Sequence, residues 1–104
     1  MISTIGVLGS GSFGTALATV LAGNTKDSVL VWGREREHLE KIQNENENSY
    51  YLPNIKLPKN IIAEFDLIEF VAKVKDILVA VPSGAFRDVI ETIKPHLTPD
   101  HRIV

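Results

Sequence analysis

Between residues 9 and 14 the chain sets glycines at Gly9, Gly11 and Gly14, with Ser10, Ser12 and Phe13 among them. Each glycine can do a separate job at this spacing. Gly9 permits a tight turn, Gly11 lets the main chain approach a ligand closely, and Gly14 allows close packing of the following element. Ser10 and Ser12 add hydroxyls that can bond phosphate oxygens. Farther on, Trp32-Gly33-Arg34-Glu35-Arg36 supplies two guanidinium groups. Such groups grip phosphate through paired hydrogen bonds and also stack on planar rings. This is chemistry for holding a phosphorylated ligand. Residues for doing covalent work are harder to find. The chain has no cysteine, which excludes disulfides, cysteine zinc sites and a cysteine nucleophile. His38, His96 and His101 stand without catalytic partners in the sequence, and Lys73, Lys75 and Lys94 read as solvated faces. No catalytic residue and no metal ligand can be assigned.

The elements around these residues decide what the glycines mean. Ile5, Val7 and Leu8 read as a strand, and the stretch from Met1 leads directly into it. Phe13, Ala16, Leu17, Val20 and Leu21 recur at helical spacing. The Gly-x-Gly-x-x-Gly run therefore leaves a strand and opens a helix, the context in which it binds a dinucleotide pyrophosphate on a helix N-terminus. The bland alternative is a glycine-rich turn that merely joins the two elements. Val29–Trp32 reads as a second strand. Residues 35–45 read as a polar helix anchored by Leu39 and Ile42, and the prolines within 50–58 make that segment an ordered loop. Ile61–Glu64 is a third strand, and Asp66–Lys73 a helix with Asp66 as its N-cap. Ile77–Val81 is a very apolar fourth strand, expected to be buried on both faces; Pro82 stops it. Phe86, Val89, Ile90 and Ile93 trace a last helix ending near Pro95, and Arg102–Val104 begins a fifth strand.

Alternation of this kind predicts an α/β fold: a Rossmann-type, doubly wound parallel sheet of strand order 3-2-1-4-5. Its ligand should sit beside strands one and four, where the order reverses. The whole of 1–104 is then one NAD(P)-binding domain, cut within strand five, and is expected to be a fragment of a longer enzyme. A complete minimal nucleotide-binding domain is the alternative.

An acid at the tip of strand two would hold the ribose 2′-hydroxyl of NAD. Here that place is Trp32-Gly33-Arg34. Arg34, with Arg36, favours the 2′-phosphate of NADP over NAD, although Glu35 between them can bond a ribose hydroxyl. The bland alternative for Arg34 and Arg36 is a pair of solvated residues at a helix start, and Trp32 reads more readily as core, since an aromatic closing a strand is often just that. The net charge of −2 leaves no basic footprint for nucleic acid. No apolar run is long enough to span a membrane, no signal peptide is visible, and the lack of cysteine fits a cytoplasmic protein.

Four blocks carry a family resemblance: Gly9-Ser-Gly-Ser-Phe-Gly-Thr-Ala-Leu-Ala, Val29-Leu-Val-Trp-Gly-Arg, Asn48-Ser-Tyr-Tyr-Leu-Pro-Asn and Val81-Pro-Ser-Gly-Ala-Phe. In order and spacing the chain resembles the N-terminal domain of bacterial NAD(P)-dependent sn-glycerol-3-phosphate dehydrogenases. The glycine block is widely shared; the other three together are far more specific. The resemblance implies that Ser12 and Phe13 contact the pyrophosphate and that Arg34 lies on the adenosine side. It places Tyr51 near the cofactor and Phe86 close to where the nicotinamide half passes, and it counts Pro82 and Ser83 of the same block among the cofactor-binding residues. It implies hydride transfer between NAD(P)H and dihydroxyacetone phosphate, giving sn-glycerol 3-phosphate for phospholipid synthesis. The catalytic lysines, the substrate-phosphate site and the contacts of a homodimer are then expected beyond Val104, so this segment alone should be inactive. Two rivals are another dehydrogenase of the wider superfamily, of ketopantoate reductase or opine type, and a free-standing dinucleotide sensor.

Overall fold

The computed structural model describes residues 5–48 and 56–104. The strands are β1 (Ile5–Leu8), β2 (Val29–Trp32), β3 (Ile61–Ala63), β4 (Asp76–Val79) and β5 (Arg102–Ile103). They form one parallel sheet in the order β3-β2-β1-β4-β5, as the alternation predicts. Four helices connect them: α1 (Ser12–Gly23), α2 (Arg36–Glu45), α3 (Leu67–Lys73) and α4 (Ser83–Ile93), the last extended by a 3₁₀ turn at Lys94–His96.

Each face of the sheet carries its own core. Val7, Val29, Val31 and Ile61 meet Ala18 and Ala22 of α1 and Leu39 and Ile42 of α2 on one side. Leu8, Leu30 and Ile77 meet Phe70 and Val71 of α3 and Val89 and Ile93 of α4 on the other. Successive strand residues point to opposite faces, so β1 gives Val7 to one core and Leu8 to the other. α2 is polar, and its Leu39 and Ile42 are buried as the spacing predicts. It ends on Asn46 in the left-handed region (φ 53°), the conformation that commonly terminates helices. Asp66 caps α3: its carboxylate accepts the N–H groups of Ile68 at 2.9 Å and Glu69 at 3.1 Å, as expected.

β4 and α4 depart furthest from the sequence reading. β4 begins at Asp76 and ends at Val79, short of Val81, because β1 turns away after Leu8 and offers no partner past the Leu8–Val79 pair. Only Ile77 of β4 is fully buried; Leu78 and Val79 are half-buried, so the strand is not sealed on both faces. α4 starts three residues before Phe86. Its first turn, Ser83-Gly84-Ala85, carries no large apolar side chain and so leaves no trace in the hydrophobic stripe. Among the described residues no helix is long and apolar enough to cross a membrane.

Candidate dinucleotide-binding site

The C-terminal ends of β1 and β4 lie side by side. Beyond them the chain leaves the sheet through Gly9 on one side and Ala80 on the other, where Ala80 N–H still donates to Leu8 O at 2.8 Å. Gly9 has φ +136°, and a Cβ there would strike the Ala80 carbonyl at 2.6 Å; only glycine makes this turn. A Cβ on Gly14 would collide with the Gly9 carbonyl, so α1 can pack against the turn only through a glycine. A Cβ on Gly11 would meet nothing within 4 Å. That position opens onto free space, as a close-approach point requires.

Two recesses meet at this turn. The first, about 280 Å³, is lined by Gly9, Ser10, Gly11, Arg34, Glu35, His38, Ala80, Val81, Pro82 and Ala85. The second, about 500 Å³, is lined by Gly11, Ser12, Phe13, Val79, Ala80, Val81 and Pro82. They share Gly11 on one wall and Ala80, Val81 and Pro82 on the other. The first is lined by the ionisable Arg34, Glu35 and His38; the second has no ionisable side chain among its lining residues. α1 starts at the junction. Gly11 is its N-cap in extended conformation, and no side chain caps the helix. The first-turn N–H groups have no intrahelical partner, and the helix dipole adds partial positive charge there. A molecule with a phosphorylated polar end, a central pyrophosphate and an apolar ring fits this division.

The predicted site residues separate into groups. Gly9, Gly11, Gly14, Ser12, Phe13, Arg34 and Pro82 converge on the two recesses or on the turn between them. Phe13 is 68% exposed on the wall of the second recess. Arg34 is exposed, with no ion-pair partner among the described residues. Arg36 is turned to other work: its guanidinium lies 4.7 Å from the Phe65 ring centroid, and Glu40 is 3.8 Å away. Ser10 lines the first recess, yet it is buried with its Oγ 3.0 Å from His38 Nδ1. Its hydroxyl is engaged in the protein's own network while the residue stays on the recess wall. Trp32 lines neither recess. Its side chain packs on the core beneath α3 and α4 while its carbonyl accepts the Gly9 N–H at 2.6 Å. Phe86 is 45% exposed on α4 and also lines neither recess. Ser83 supplies the first residue of α4. Tyr51 lies outside the described residues.

Sequence reasoning missed the support behind the turn. Thr15, Asn48 and His38 are buried around Ser10. Gly33 is the cavity that admits Ser10, since a Cβ on it would collide with Ser10 Oγ. Nor do His38 and His101 lack partners. His38 faces Ser10, and His101 Nδ1 accepts the Thr98 N–H at 2.9 Å while its Nε2 lies 2.9 Å from Val71 O. Asn48 was visible as the first residue of a recognised block, but nothing in its spacing pointed to Ser10.

Comparison with known proteins agrees with this geometry. Residues 4–104 match the family model described as the NAD-dependent glycerol-3-phosphate dehydrogenase N-terminus. The chain is 45% identical to glycerol-3-phosphate dehydrogenase [NAD(P)+] of Pasteurella multocida over 97% of its own length and 30% of that protein's. The crystal structure of glycerol-3-phosphate dehydrogenase from Coxiella burnetii superposes with a TM-score of 0.89 at 42% identity, covering 97% of this chain and 31% of that one. The Saccharomyces cerevisiae glycerol-3-phosphate dehydrogenase superposes with a TM-score of 0.87 at 29% identity, covering 99% and 33%. The chain thus spans about a third of the length of the relatives it matches.

Proposed function

The chain belongs to the NAD-dependent glycerol-3-phosphate dehydrogenase N-terminal family, and from that premise we propose that it binds NADP, or NAD less tightly, as the cofactor half of a dehydrogenase acting on dihydroxyacetone phosphate and sn-glycerol 3-phosphate. The observation that carries the reading is the pair of unlike recesses meeting at Gly11, at the uncapped start of α1. Arg34 in the first recess takes the adenosine end, where a guanidinium suits a 2′-phosphate. The N–H groups at the start of α1 take the pyrophosphate. Ser12, Phe13 and the Val79–Pro82 wall seat the other ring. When bound, the reduced cofactor supplies hydride; the described residues orient it. Glu35 beside Arg34 offers an acceptor for a ribose hydroxyl, which keeps NAD within reach of the same recess. The cytoplasmic setting and a homodimer formed outside these residues belong to the same proposal.

Titration of the chain with NADPH and NADH at matched salt tests it, with energy transfer from Trp32, the single tryptophan, as the signal. NADPH should bind more tightly, and Arg34→Ala should remove most of the difference, about 1–3 kcal/mol for a charge-assisted bond. Equal affinities in the unaltered chain refute the assignment of Arg34. Binding of neither refutes the whole reading.

A further inference from the structure

Asn48 is fully buried, yet it belongs to no strand or helix and lines neither recess. Its amide faces inward to the glycine turn. Nδ2 donates to Ser10 O at 2.9 Å and to Thr15 Oγ1 at 2.8 Å, and Thr15 Oγ1 donates in turn to Ser10 O at 3.2 Å. One carbonyl therefore receives two side-chain donors, one from a position 38 residues away. The side chain of the same residue is held from the other direction by His38.

A planar trans peptide sets the next N–H antiparallel to its carbonyl. Drawing Ser10 C=O into the buried network therefore turns the Gly11 N–H the opposite way, toward the junction of the two recesses that Gly11 lines. We propose that Asn48, with Thr15, is a positioning residue: it clamps the Ser10–Gly11 peptide so that the Gly11 N–H is preset as a donor to the cofactor's pyrophosphate. This rests on the dinucleotide reading above and deepens it. Glycine at position 11 makes the clamp necessary. Glycine has a wide choice of backbone angles, so an unclamped Ser10–Gly11 peptide could flip and present its carbonyl to the phosphates. An oxygen aimed at an anion repels it where an N–H attracts it. The network thus selects one of two peptide orientations, and only the selected one binds.

The test uses ¹⁵N-labelled chain, NADPH, and adenosine 2′-monophosphate, which lacks the pyrophosphate. In the unaltered chain NADPH should move the Gly11 amide resonance strongly, and adenosine 2′-monophosphate should leave it near its free position. Thr15→Val keeps the volume and removes the hydroxyl; Asn48→Ala removes the amide. Each should weaken NADPH binding about tenfold or more, as loss of a pyrophosphate hydrogen bond implies, and abolish the Gly11 shift. Each should leave adenosine 2′-monophosphate binding within about twofold, since no peptide clamp serves that end. Thr15→Ser, which retains the hydroxyl, should restore both NADPH affinity and the Gly11 shift. Equal loss for both nucleotides, or no loss for NADPH in Thr15→Val, overturns the proposal. If the unaltered chain binds neither nucleotide, the dinucleotide reading itself fails and takes the clamp with it. If NADPH binds but Gly11 does not shift, only the clamp fails.

Discussion

Ser10 and Gly33 are a matched pair: the side chain of one occupies the space where the other lacks one. The fit lets Ser10 reach His38 and brings the tip of β2 against the turn after β1. Gly33→Ala should force Ser10 from its place and break the contact with His38. The expected loss of stability is about 1–3 kcal/mol, the usual range for overpacking a buried site, read by denaturant unfolding. Ser10→Gly in the same chain should recover most of it, because the two atoms nearest the new Cβ are then gone. A Gly33→Ala chain as stable as its parent would show that the packing yields freely. Residue-scale roles of this sort were partly legible. Gly9, Gly11 and Gly14 declared themselves by spacing, and Arg34 by the missing acid at the tip of β2. Ser10 did not, because nothing along the chain shows whether a hydroxyl points out to a ligand or in to a histidine 28 residues away. Trp32 was ambiguous for the same reason: its position at a strand tip is shared by core and site residues alike.

Elements were more legible than residues, since periodicity survives in the sequence while long-range hydrogen bonds do not. The strand order, the Asp66 cap and the polar α2 all follow from local pattern. The ends of β4 and the start of α4 did not, for a strand ends where its neighbour turns away and a helix can begin before its apolar stripe. What ties elements together is also partly electrostatic. Arg102 of β5 donates from Nε to Asp76 Oδ1 at 2.7 Å and from Nη2 to Oδ2 at 3.2 Å on β4. This bond holds the Asp76 carboxyl below its usual range. Lys73 reaches Glu64 at 2.6 Å; burial pushes that carboxyl up, but the lysine and nearby N–H groups outweigh it and the net shift is down. The Lys56 hydrogen bond lowers Glu47 likewise. Carboxyls depressed in the folded state bind protons more tightly when unfolded. Their contribution is therefore complete above the ordinary carboxylate range and fades as pH falls through the depressed folded values. The thermal midpoint should be flat near neutrality and drop steeply below about pH 4. Arg102→Gln should lower the midpoint at pH 7 by a modest amount, as the Arg102 side chain is largely exposed. The gap between Arg102→Gln and its parent should close in acid. A gap that persists unchanged at about pH 2 would show that Arg102 acts through packing and not through Asp76.

At the scale of the whole molecule, binding and turnover part company. The recess assigned to the reactive ring is lined by Gly11, Ser12, Phe13, Val79, Ala80, Val81 and Pro82, and no titratable side chain is among them. Reducing a ketone by hydride transfer leaves an alkoxide, and its formation needs a proton donor or a fixed positive charge close by. The ionisable groups that do line the site, Arg34, Glu35 and His38, belong to the other recess, and His38 already faces Ser10. Lys73 is held by Glu64 at the end of α3. The chain also spans only about a third of the length of its relatives, and the proposed function does not draw its proton donor from the recess lining. The expected outcome is separable behaviour: the 104-residue chain binds NADPH and shifts the Gly11 amide, yet mixing it with NADPH and dihydroxyacetone phosphate gives no loss of absorbance at the reduced nicotinamide band above the buffer rate. Oxidation of NADPH in proportion to chain concentration, abolished by Arg34→Ala, would mean that a donor within these residues completes the reaction, and the division of labour drawn here would be wrong.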